Sequence, residues 1–138
     1  MDIEADILEI GALVEKAKQA QAVYEAQGSQ KTFDLACQAV AWALMKPEHN
    51  SSLSKLAVQK TGLGNAADKT RKNHNKTLGL LRDLKAVTAF GHVEDNAETG
   101  LSTYLRPKGV IAAIVPSTNP LATPVNNIIN ALKSGNAI

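Results

Sequence analysis

Apolar residues recur at helical spacing over the first 45 positions, and the interval changes after position 85. Ile3, Ile7, Ile10, Val14, Ala17 and Tyr24 define one stripe, so the spacing predicts a helix over 3–24. Gly28 stands where a helix-ending glycine is expected, and Ser29 where the next helix would be capped. Phe33, Ala36, Cys37, Val40, Ala41 and Leu44 form a second stripe that Pro47 ends. The pair predicts a helical hairpin. A third helix is expected from a cap at Asn50 or Ser51 to Thr61, burying Leu53, Leu56 and Ala57. Asn65 followed by Asp68 suits the start of a fourth, polar in its first half and carrying Leu78, Leu80, Leu81 and Leu84 in its second. Gly79 is a point at which that helix could break.

Beyond Lys85 the pattern becomes extended. Residues 87–93 and 101–105 flank a turn-rich stretch, 94–100, which predicts two antiparallel strands. The run 110–115 is continuously apolar, β-branched and bounded by Gly109 and Pro116. It reads as a strand buried on both faces, as in parallel sheets. A loop over 116–120 follows. Thr123 then supplies a cap with Pro124 at the first helical position, and Val125, Ile128, Ile129 and Leu132 line a helix that stops at Ser134 and Gly135. Asn136, Ala137 and Ile138 look like the opening of another buried strand. The class is α/β, and the last thirty residues form one strand–helix unit.

Composition alters this picture little. The 138 residues fit one domain, and 15 Lys plus Arg against 13 Asp plus Glu leave a net charge of +2. So small an excess argues against nucleic acid or an anionic membrane as the main partner. No apolar run approaches the ~18 residues that would span a bilayer. The start (Asp2, Glu4, Asp6) is acidic where a signal peptide would be basic. One cysteine, Cys37, cannot form an internal disulfide, which fits a reducing, cytoplasmic setting.

Several candidate sites compete. Gly62, Gly64 and Ala67 satisfy a dinucleotide-type glycine spacing, with Asp83 about where a ribose-binding acid would stand. Such a loop must follow a strand, whereas 53–60 is helix-patterned, so the glycines suit a helix end followed by a helix start. The bases Lys69, Arg71, Lys72, Lys76, Arg82 and Lys85 lack interleaved aromatics, and a solvated helix face accounts for them. Cys37 lies on an apolar stripe, where burial would keep its thiol neutral. His49, His74 and His92 stand singly, with no metal-ligand spacing. The loop Pro116, Ser117, Thr118, Asn119, Pro120 differs, because it ends a parallel-type strand, where open α/β sheets place ligands. An amide held between two prolines suits stabilisation of a developing oxyanion. Equally, Thr118 and Asn119 could satisfy turn hydrogen bonds and cap the next helix.

Residues 109–120 (Gly-Val-Ile-Ala-Ala-Ile-Val-Pro-Ser-Thr-Asn-Pro), with Ala131, Leu132, Lys133 and 135–138 (Gly-Asn-Ala-Ile), resemble the aldehyde dehydrogenase superfamily. Thr61, Gly62, Gly64, Asp68, Lys69, Lys72 and Asn73 resemble the signature of its coenzyme A-acylating branch. The resemblance runs from the first helix to Ile138. It implies a Rossmann-like fold divided into a helical part of the cofactor-binding domain (1–87), a two-stranded oligomerisation arm (88–106) and the first strand–helix unit of the dinucleotide-binding sheet (107–138). It implies oxidation of a small aldehyde with NAD or NADP through a cysteine thioester, coenzyme A taking the acyl group, in a homodimer or homotetramer. Asn119 falls on the family's substrate-oxygen asparagine, and Pro116, Ser117 and Thr118 on the cofactor-pocket segment. Some positions depart. The family's nucleophilic cysteine and its ribose-contacting lysine lie downstream of the equivalent of Ile138, Asn127 stands where many members have lysine, and Lys60 where the acylating branch often has Glu. The expectation is an N-terminal piece of a longer, cytoplasmic enzyme, inactive alone. The competing expectation is a non-enzymatic helical interaction domain.

Overall fold

A computed structural model describes residues 3–138; Asp2, part of the acidic start, lies outside the described residues. The elements are α1 (Ile3–Ala26), α2 (Gln30–Met45), α3 (Pro47–Thr61), α4 (Ala66–Leu84), β1 (Gly91–Asn96), β2 (Leu101–Leu105) and α5 (Ala122–Lys133).

Local chemistry sets most of the helix ends. Ser29 and Thr32 cap α2 reciprocally: the Ser29 hydroxyl accepts from the Thr32 N–H, and Thr32 Oγ1 accepts from the Ser29 N–H at 2.8 Å. Gly62 ends α3 with a left-handed φ of 68°, which glycine adopts without a Cβ clash. Asn65 then opens α4 by accepting from the Asp68 N–H at 2.8 Å. The Gly62–Gly64 loop is therefore a helix-to-helix connection. Two expected starts are corrected. α3 begins at Pro47, ahead of the cap expected at Asn50 or Ser51, because proline at a first helical position forfeits no helical hydrogen bond. α5 begins at Ala122 behind Leu121, and Thr123 does not cap it. Gly79 leaves α4 unbroken.

The α2 stripe builds the core. Cys37 and Ala41 pack on Ile129 of α5, with Leu80, Leu81 and Leu84 of α4 and Val125 and Leu132 of α5 around them. Phe33 is fully buried, its ring centroid 4.6 Å from that of Tyr24 and 4.9 Å from that of Phe90. A Cβ at Gly28 would lie 2.2 Å from the Phe33 ring, and one at Gly135 would lie 2.6 Å from it. Gly28 does not adopt the left-handed conformation expected of a helix-ending glycine; what demands glycine there is the approach of Phe33.

α1 joins this core only near its C-terminal end. Gln21 donates to the Gly135 carbonyl at 2.9 Å and accepts from the Ala137 N–H. Tyr24 donates to the Leu132 carbonyl at 3.2 Å, and burial pushes its phenol up to about 12, so the donor proton stays in place. Ile3, Ile7, Ile10 and Val14 of the α1 stripe are exposed, Ile7 by 62%.

β1 and β2 pair antiparallel, Gly91 opposite Leu105 and Asn96 opposite Leu101, with a bulge between His92 and Glu94. The first strand thus lies at 91–96, later than the 87–93 expected, and its turn is shorter. The run 110–115 is also corrected. Val110 forms a parallel bridge with Ala137, and the Ile111 N–H donates to the Ala137 carbonyl at 2.9 Å. Asn136 Oδ1 secures the approach by accepting from the N–H groups of Lys108 and Gly109. Residues 111–115 are exposed, Ile114 by 94%, because among the described residues no second strand lies alongside them. A parallel connection through α5 is formed, but only at its first rung.

Candidate functional site

The loop over 116–120 lies between the extended run and α5. Pro116, Ser117 and Thr118 are exposed, and Asn119 and Pro120 are half-buried. α4 holds the loop from behind. Lys69 Nζ donates to the Thr118 carbonyl at 3.3 Å, and Lys72 Nζ donates to Asn119 Oδ1. An ammonium group carries donors only, so the amide oxygen of Asn119 faces Lys72 and Nδ2 is turned away from it. Nδ2 has no partner among the described residues.

α5 has no side-chain cap, so neither Thr118 nor Asn119 serves as one. The Asn119 side chain is spent on a helix 47 residues away in sequence.

α4 can act as a backing plate because it is pinned to α3 by a buried polar cluster. Asn73 Nδ2 donates to Asn50 Oδ1 at 3.0 Å and lies 3.2 Å from Ser54 Oγ. Asn50 Nδ2 donates to the Thr70 carbonyl at 2.9 Å. Buried polar side chains with satisfied partners fix a helix pair in one register. Lys69, Asn73 and Thr77 recur every four residues, and this whole stripe is buried. Reading the basic residues of α4 as a uniformly solvated face is therefore wrong for Lys69, which is 6% exposed, and for the half-buried Lys72. It holds for Arg71, Lys76, Arg82 and Lys85, all exposed.

The other reactive side chains lie apart from the loop contacts. Cys37 donates to the Ile129 carbonyl at 3.3 Å. Burial, reinforced by Asp34 and opposed by Lys133, pushes its thiol up to about 11, so it is no nucleophile at neutral pH. Lys133, buried, pairs with Asp34 at 2.6 Å and ties α5 to α2. Asp95 accepts from Ser102 at 2.6 Å and lies 2.9 Å from His92 Nε2. Those bonds, Ser102 first, hold its carboxyl below the usual range. The carboxylate stands between the other two side chains, so the trio is a cross-strand lock and not a nucleophile–base pair. Among the described residues no group of three or more His, Cys, Asp or Glu could hold a metal ion, and no helix is long and apolar enough to cross a membrane.

No family model matches the sequence. Individual proteins do. The chain is 53% identical over 129 residues to a sulfoacetaldehyde dehydrogenase (acylating) of Cupriavidus necator, covering 94% of this chain and 26% of that protein. It is 35% identical to a succinate-semialdehyde dehydrogenase (acetylating) of Clostridium kluyveri, again over 94% of this chain and 28% of the relative. Among solved structures, an acetylating aldehyde dehydrogenase from Geobacillus thermoglucosidasius superposes with a TM-score of 0.90 at 33% identity, covering 99% of this chain and 30% of that one. The chain spans about a quarter of the length of the sulfoacetaldehyde dehydrogenases it matches, within their N-terminal part.

Proposed function

Because this chain is a homologue of the N-terminal part of the acylating aldehyde dehydrogenases, we propose that it serves the reaction of such an enzyme: aldehyde, coenzyme A and NAD(P)+ giving acyl-CoA and NAD(P)H. The observation that carries this reading is the Asn119 amide, whose oxygen is fixed by Lys72 and whose N–H2 end has no partner. A carbonyl oxygen gaining negative charge under nucleophilic attack needs such donors already in place. Asn119 is accordingly the residue that steadies the substrate oxygen.

Pro116, Ser117 and Thr118 form part of the cofactor wall. Their fit rests on exposure: Ser117 and Thr118 are exposed, and their hydroxyls have no hydrogen-bond partner among the described residues, so they can hydrogen-bond a dinucleotide. When bound, NAD(P)+ supplies the hydride acceptor. The thiol nucleophile comes from residues outside these 138, since Cys37 is neutral and buried. The segments divide as a helical part (1–87), an arm (88–106) and the opening of a Rossmann-like sheet (107–138). Exposed Leu101 and Tyr104 on the arm support a homodimer or homotetramer, and the lone cysteine supports a cytoplasmic setting. Relatives at 53%, 40% and 39% identity are all named sulfoacetaldehyde dehydrogenases, which favours a short anionic aldehyde. A non-enzymatic helical domain is not favoured by relatives of this kind.

The test uses the full-length enzyme carrying these residues, with sulfoacetaldehyde, coenzyme A and either dinucleotide. Acyl-CoA and NAD(P)H should appear in equal amounts. Release of free acid at an unchanged rate without coenzyme A would refute the acylating reading.

A further inference from the structure

Lysines on an exposed helix ordinarily reach into water. Lys69 and Lys72 instead sit one turn apart on α4 and turn toward the same loop, one onto a backbone carbonyl and the other onto a side chain. Neither forms an ion pair with a carboxylate among the described residues, although Asp68 lies beside them on the same helix and pairs with Arg71 at 2.6 Å. The two ammonium groups are spent on the geometry of 118–119.

From this geometry we propose that Lys72 is a positioning residue for the Asn119 amide: its ammonium fixes the amide's orientation, so that the Nδ2 hydrogens point to the substrate oxygen. The inference rests on the oxyanion reading of Asn119 given above and deepens it. A free asparagine amide can present either its oxygen or its nitrogen after a half-turn about its last side-chain bond. With oxygen presented, the site would repel a developing oxyanion. Lys72 removes that alternative, because a group with donors and no acceptor tolerates only the oxygen end. A charged donor on Oδ1 also draws electron density from the amide, which makes the far N–H groups better donors. Lys69 supports the same end by holding the Thr118 carbonyl, so the backbone entering Asn119 is fixed as well. The lysines in turn cannot drift. Asn73, next to Lys72, is locked to Asn50 and Ser54 of α3, and that lock fixes the α4 backbone from which Lys72 reaches.

Substitutions in the full-length enzyme test the proposal. Asn119→Ala should lower kcat by about 100-fold or more, the scale of losing one oxyanion donor. Lys72→Met, which keeps the stem and removes the donors, should lower kcat by ~10- to 100-fold, the scale of a misplaced reacting group. The dinucleotide KM and the melting temperature should stay at wild-type values. Lys72→Arg, which keeps a charged donor, should restore part of the lost rate. The decisive measurement is the double variant: Lys72→Met should cost nothing further in an Asn119→Ala background, because a residue acting through another has no effect once the other is gone. A loss that multiplies in the double variant would overturn the proposal, as would Lys72→Met at full rate beside a crippled Asn119→Ala. Asn119→Ala at full rate would overturn the oxyanion reading itself and the proposal with it. Should Lys72→Met fail to fold, Lys72→Gln, whose amide offers both a donor and an acceptor and so no longer selects the Asn119 oxygen end, goes through the same cycle, with a smaller single-variant loss and again no further loss in the Asn119→Ala background.

Discussion

α1 and α2 carry apolar stripes of nearly the same spacing and meet opposite circumstances. On α2, Phe33, Cys37, Ala41 and Leu44 are buried, Cys37 and Ala41 in a cluster with residues of α4 and α5. On α1, Ile3, Ile7, Ile10 and Val14 remain exposed, and the helix is held by Gln21 and Tyr24 at its far end. Periodicity declares which face of a helix would be buried. Whether anything covers it depends on the rest of the fold. The run 110–115 teaches the same for strands: its composition suits a two-sided interior position, yet among the described residues only Val110 and Ile111 pair through the backbone with a strand neighbour, Ala137.

The contrast can be broken at either helix. The largest effect belongs to Phe33→Ala, which empties a fully buried site between Gly28 and Gly135. A cost of about 4 kcal/mol is expected in urea unfolding; a cost below ~1 kcal/mol would mean that Tyr24 and Phe90 close the gap. Next comes the alkaline response of the α2 face. The folded Cys37 thiol loses its proton at about 11 against an ordinary 9.0, so the folded state binds that proton more tightly than the unfolded one. Its contribution is complete below pH 9 and is lost as pH climbs through about 11. Stability followed across that window should fall, and a Cys37→Ala variant should lack that component. Smallest is Ile7→Ser on the bare α1 face, expected to change the stability of this chain by no more than ~0.5 kcal/mol. A larger loss would show that the α1 stripe is covered in solution.

Much of this was legible in the sequence because it is local. The Ser29 cap, the Gly62–Asn65 connection and the α2 stripe each depend on residues within a turn or two of one another, and the structure repeats them. The features that were not legible depend on distant partners. Gly28 is glycine because of the Phe33 ring. The bulge after His92 shifts a register that alternation alone would leave straight. Asn119 stood out between two prolines, whereas by spacing alone Lys69 and Lys72 were indistinguishable from the other bases on α4. Their partners at 118 and 119 lie 49 and 47 residues downstream, and no helical spacing reports a contact across that interval.

The link from Gln21 to Gly135 and Ala137 also orders events in time. It joins residues 114 positions apart, and at a synthesis rate of about 5–20 residues per second α1 would wait roughly 6–23 s after its own emergence for the backbone it must grip. During that interval α1 has no seat. Its acidic and basic residues (Glu4, Asp6, Glu9, Glu15, Lys16 and Lys18) then become a provision for the nascent state, keeping an unseated segment dispersed until residues 135–137 arrive to receive it.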